Sequence, residues 1–113
     1  MAPTAAVIPG VRTLEQRAGR GVCWISIKGI NDTKQVDEFL KKGAEVAGTP
    51  FPTHHNVNGC RCVNFMDGTR EQLDALVSAL QKLESRMLPK GTVRLKAGEA
   101  FPEGAGSYVR YNT

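Results

Sequence analysis

With 113 residues, 41% of them hydrophobic and 23% charged, the chain has the composition of an ordinary globular domain and enough length to bury a core without metal or disulfide staples. No apolar run approaches the roughly 20 residues of a bilayer-spanning helix, and three cysteines without a secretory leader pattern point to a reduced, cytoplasmic protein. The formal charge of +4 suits an anionic partner, yet the basic residues are scattered. Lys41-Lys42, the one adjacent pair, lies beside Asp37 and Glu38 on a predicted helix, as on a solvated face rather than a phosphate track.

Residues 1–20 read as a mobile lead-in carrying Pro3 and Pro9, with a helical turn or two expected over Thr13–Ala18 before Gly19 and Gly21 break it. Val22 to Ile30 alternates with the period of a strand, so that Cys23, Ile25 and Ile27 share one face and Trp24, Ser26 and Lys28 the other. Asp32 with Gln35 predicts a capping box opening a helix to about Val46, whose apolar stripe is Val36, Phe39, Leu40, Ala44 and Ala47, and Gly48 stops it. Pro50 and Pro52 impose an extended entry to a hairpin, Thr53–Val57 and Cys60–Met66, reversed by Asn58-Gly59 because both residues tolerate positive φ. Thr69 with Gln72 predicts a second capping box, and Leu73, Leu76, Val77, Leu80, Leu83 and Met87 form the stripe of a helix ended by Pro89 and Gly91. Thr92–Ala97 alternates again as a last strand with Val93 and Leu95 inward. Residues 98–113 read as a Gly- and Pro-rich tail, within which Ser107–Tyr111 forms a short terminal strand or lies over the sheet.

The order β-α-β-β-α-β predicts an α+β fold for a single domain over 21–97: a two-layer, ferredoxin-like sandwich with an antiparallel sheet of about four strands, two helices on one face and the other face open. The order is that of an RNA recognition motif, and residues 58–65 and 25–30 overlay that family's two signatures at Gly59, Val63 and Phe65 and along Ile25–Ile30. The stacking positions fall on Ser26, Cys60 and Cys62, none aromatic, and Arg61 replaces a small residue facing the core. Without rings the sheet forgoes stacking worth ~1–3 kcal/mol per base.

Chemistry concentrates on the hairpin. His54, His55, Cys60 and Cys62 are zinc-type ligands, but neighbouring histidines point to opposite faces and Cys60 and Cys62 do not form a Cys-x-x-Cys knuckle, so no metal is expected. A cysteine–histidine pair across the hairpin has no third orienting group or oxyanion hole, and no enzyme is expected.

From Gly21 to Glu84 the chain resembles the C-terminal small domain of pyridoxal-phosphate-dependent group II amino-acid decarboxylases. The resemblance runs through Val22–Lys28, Val36–Gly48, the stretch from Thr53 through His55 to Val57-Asn58-Gly59, Cys60–Phe65, and the Thr-initiated helix Thr69–Leu76. It implies the same α+β fold. In that family the cofactor lysine lies in a large domain without counterpart here, and a strand arginine falls at Asn64, so the resemblance implies no cofactor and no decarboxylation. The function expected is a non-catalytic interaction or assembly module, binding a protein partner or a second copy through the open face. Trp24, Lys28, Cys60, Cys62 and Asn64 are the contact residues, and an RNA-binding domain of atypical surface is the alternative. In a competing arrangement Phe101, Tyr108 or Tyr111 covers this face and Trp24 belongs to the core.

Overall fold

The computed structural model describes residues 23–65 and 68–112; the helical turn expected over Thr13–Ala18 lies outside them. The elements are β1 (Cys23–Lys28), α1 (Thr33–Ala47), β2 (Thr53–Val57), β3 (Cys60–Asn64), α2 (Arg70–Met87), β4 (Val93–Leu95) and β5 (Tyr108–Tyr111). Both helices form for the reasons the sequence supplies. On α1, Val36, Phe39, Leu40, Gly43 and Ala44 bury one stripe, the Asp32 side chain accepts from the Lys34 amide, and Gly48 ends the helix at φ 70°. The expected box with Gln35 does not form, because its amide instead donates to the Met87 carbonyl at 3.2 Å and ties the start of α1 to the end of α2. The Thr69–Gln72 box of α2 is complete, and Leu73, Leu76, Val77, Leu80 and Leu83 are buried on its inner face.

The strands lie in the order β2-β3-β1-β5-β4. All pairs are antiparallel except β4 with β5, which is parallel. The fold is therefore the expected two-layer α+β sandwich, but the sheet is mixed and has five strands among the described residues. The position beside β1 that closes a β-α-β-β-α-β sheet is taken by β5, the short terminal strand that is one of the two readings of Ser107–Tyr111 within the tail, and β4 is added outside it. This reverses the facing expected of β4. Arg94 lies opposite Val109, a core residue, and reaches α2, while Val93 and Leu95 align with Tyr108 and Arg110 on the face away from the helices, where Leu95 is nonetheless buried and Val93 is exposed. Parity along a strand follows the register of its neighbour, and a parallel partner buried at Val109 sets it here.

Trp24 departs from the strand-period reading. The β1–β3 register pairs Cys23 with Asn64 and Ile25 with Val63, so one extra residue sits on β1. This bulge carries Trp24 into the core cluster at 4% exposure. The Arg70 guanidinium lies 4.8 Å from its ring centre.

A carboxylate joins the layers at the far edge. Glu84 of α2 accepts from the Tyr111 hydroxyl at 2.7 Å and from Arg94 Nε at 3.1 Å. Burial first, and then the Glu84 hydrogen bond and charge, raise the Tyr111 hydroxyl far above its ordinary value. The folded state therefore keeps a proton that the unfolded chain loses near pH ~10, so this contribution to stability is intact below that pH and declines above it, by up to about 1.4 kcal/mol per pH unit. Urea unfolding between about pH 8 and 11 should show a steeper alkaline loss for the wild type than for Tyr111→Phe; parallel curves would contradict the assignment.

The helices meet closely at Gly43, where a Cβ would fall 2.3 Å from Leu80 Cδ2 and 2.9 Å from its branch carbon. Overpacking costs about 1–3 kcal/mol, against a helix-propensity gain of up to about 1 kcal/mol for alanine. Gly43→Ala should therefore lower the denaturation midpoint, and a raised midpoint would show that Leu80 moves aside freely.

Candidate functional site

The hairpin sorts its side chains by the period of two. Asn58 and Gly59 adopt φ 52° and 83°, the pair of positive values that a tight reversal needs. The Asn56 side chain accepts from the Gly59 amide at 2.8 Å. The resulting register places His54 opposite Val63, and His55 opposite Cys62. Since Val63 is core, His54 faces the helices and His55 the open side. His54 is 7% exposed and its Nε2 bonds Asp37 of α1 at 2.5 Å. His55 is exposed, and its Nδ1 accepts from the Asn64 amide at 3.1 Å.

The four ligand-type residues therefore do not converge. His55, Cys60 and Cys62 share the open face and His54 lies beneath it; among the described residues no three His, Cys, Asp or Glu side chains group as a metal site would require. His55 and Cys62 are cross-strand partners on the open sheet face, and the group that His55 Nδ1 engages is the Asn64 amide rather than a thiol.

Of the expected contact residues, Lys28, Cys60, Cys62 and Asn64 are half-buried on strands β1 and β3, and Trp24 is not a surface residue at all. The connection from 96 to 107 passes over the β1–β5 half of the open face as a strap. Phe101 lies between two cations, 4.6 Å from Arg110 and 5.9 Å from Lys28, measured to its ring centre. Lys28 Nζ also donates to the Pro102 carbonyl at 3.1 Å. Arg110 donates to the Glu99 carbonyl at 2.7 Å and to Ser26 Oγ at 3.2 Å. Phe101 thus covers part of the face, as the competing arrangement had it, while Trp24 and Tyr111 fill the core from within.

What lies outside the strap is the hairpin half, where Thr53, His55 and Val57 are exposed and β2 forms an edge of the described sheet. Val57 is 44% exposed. Among the described residues no strand carries an aspartate or glutamate: the charged residues of the sheet are Lys28, Arg61, Arg94 and Arg110. Of these only Lys28 and Arg110 stand on the open face, both beneath the strap, so the hairpin half is neutral and sets no strand carboxylate against an acidic partner.

A second concavity, unexpected from the sequence, opens between α1 and β2, with Asp37, Lys41, Phe51, His54 and Arg61 in its walls. Its signal was Arg61, which alternation places on the core side of β3, in line with Ile27.

No family model matches the chain, and no curated protein or solved structure matches it significantly.

The strap is held by ring–cation contacts and by backbone carbonyls, each modest at an exposed site. Phe101→Ala should free it locally. Amide hydrogen exchange in 98–107 is expected to speed up severalfold while the unfolding midpoint moves little. A large fall in global stability would instead make the strap part of the core.

Proposed function

We propose that the domain is a non-catalytic protein-binding module, acting in the cytoplasm, that takes an acidic protein segment on the hairpin half of its open sheet face. The observation that carries this reading is the combination on that half of an edge strand, an exposed apolar residue in Val57, and a sheet without carboxylates. An extended segment laid along β2 gains main-chain hydrogen bonds from the edge, and its own acidic side chains meet neutral neighbours with no strand carboxylate to repel them. Lys28, Cys60, Cys62 and Asn64 border the contact, and His55 and Val57 stand at its centre.

The kinship with the small domain of the decarboxylases rests on the sequence motifs quoted above. On that reading the two-layer scaffold is retained and its surface put to another use, with no pyridoxal phosphate bound. Protein is favoured over single-stranded RNA because Lys28 and Arg110 are occupied by the strap, and among the described residues the strands of the hairpin carry no Phe, Tyr or Trp on the open face, the one ring exposed there being the His55 imidazole, which is bonded to Asn64.

Affinity capture of the tagged chain from extract of its own cells, with and without nuclease, tests the proposal. A stoichiometric acidic protein that survives nuclease, is released by His55→Glu combined with Val57→Asp, and is retained by Phe101→Ala is the expected result. Light scattering identifies the case in which the partner is a second copy, at twice 12.2 kDa. Recovery of nucleic acid in place of protein, or retention of the partner by the double variant, would overturn it.

A further inference from the structure

The concavity between α1 and β2 has a charge balance that the fold does not close. Arg61 projects from the helix-facing side of β3, a position filled by Val63 two residues on and by Ile27 across the ladder. A half-buried arginine there ordinarily has a carboxylate. Its one hydrogen bond among the described residues runs from Nη2 to Thr33 Oγ1 at 2.8 Å, and it makes no ion pair among them. The carboxylate lining the same groove, Asp37, is held by His54. Lys41, one turn further along α1, also lines the groove and likewise has no ion-pair partner among the described residues. The groove thus presents two cations against one committed carboxylate.

Its shape matches its charge. The volume is about 460 Å³, within the range of small-ligand sites. One wall is Phe51, which is 57% exposed although it is among the largest apolar side chains in the protein. Thr33 begins α1, so the positive end of that helix adds to the field of Arg61. The guanidinium retains donors beyond the Thr33 bond and offers a planar fork to a carboxylate or phosphate.

We infer that this groove binds a small oxyanion carried on an apolar ring, with the oxyanion on Arg61 and Lys41 and the ring against Phe51. The site lies on the helix side of the sheet, opposite the protein-binding face, and does not depend on that reading.

Titration of the ¹⁵N-labelled full chain with benzoate, phenyl phosphate and inorganic phosphate, followed by amide chemical shifts, tests it. Saturable shifts confined to the neighbourhood of Thr33, Lys41, Phe51 and Arg61 are expected for at least one of the two ring-bearing ligands, and which one saturates identifies the oxyanion. Arg61→Gln should weaken that ligand about tenfold or more, and Lys41→Gln about two- to fivefold. Arg61→Lys, which keeps the charge and removes the fork, should weaken benzoate more than phenyl phosphate. Phe51→Ala should weaken the ring-bearing ligand severalfold and leave inorganic phosphate unchanged. Should Arg61→Gln unfold the chain, exposed Lys41 and Phe51 supply the test. Absence of saturation with both ring-bearing ligands, or affinity unchanged in the Lys41 and Arg61 variants, would overturn the inference.

Discussion

The residue inserted at Trp24 decides how the two sides of the sheet divide. β1 is the middle one of the five described strands, and its Ile25 and Ile27 are almost wholly buried against the helices. Strict alternation would have sent Trp24 outward with Ser26 and Lys28. The bulge keeps it with Ile25, and a ring that hides roughly 150–250 Å² joins the core instead of needing cover from outside. The outward face of β1 is thereby reduced to Ser26 and Lys28. A polar face needs no second layer, and a strap held by carbonyls and one ring between cations is enough to dress it.

Much of this was legible in the sequence because it is governed locally. Helical stripes, the Thr69–Gln72 box, Gly48 and the Asn58-Gly59 turn depend on residues within a turn of one another, and they stand where the spacing puts them. The misreadings share a different cause. Periodicity carries no mark of an inserted residue, so alternation alone places Trp24 on the wrong face. Gln35 has the spacing of a capping partner, but a distant acceptor at Met87 takes it. The facing of Val93 and Leu95 is imposed by Val109, across a glycine-rich connection, and no local spacing pairs β4 with the terminal strand. Each is a tertiary fact overriding a local one.

The candidate surfaces were legible unequally for the same reason. The open face followed from element order alone, since two helices on one side leave the other bare. The groove brings residues 33–41 of α1 beside 51–54 and Arg61, and no spacing announces such a meeting. Only the inward position of Arg61 betrayed it. Charge segregation explains why that arginine stands out. The sheet has cations and the helices supply carboxylates, so Arg94 finds Glu84, while Lys28 and Arg110 turn outward to backbone carbonyls. Arg61 points toward the helices as Arg94 does, yet the nearby acid is occupied by His54.

Strand β2 is where the two surfaces become one structural problem. Consecutive histidines on it serve opposite sides, His54 fastening the groove to α1 and His55 standing on the open face. A slip of one residue in the β2–β3 register would exchange them, taking His54 from Asp37 and turning Thr53, His55 and Val57 toward the helices. An edge strand is held on one side only and is prone to such slippage. Here the turn forbids it, because the positive φ values at Asn58 and Gly59 suit that pair and no other pair in the hairpin. The prolines before β2 limit the conformations of its entry, and the His54–Asp37 bond pins its first half to the helix layer. The geometry of both surfaces therefore rests on the same turn, and a contact that straightens or bends β2 from the open side must act on the wall of the groove as well.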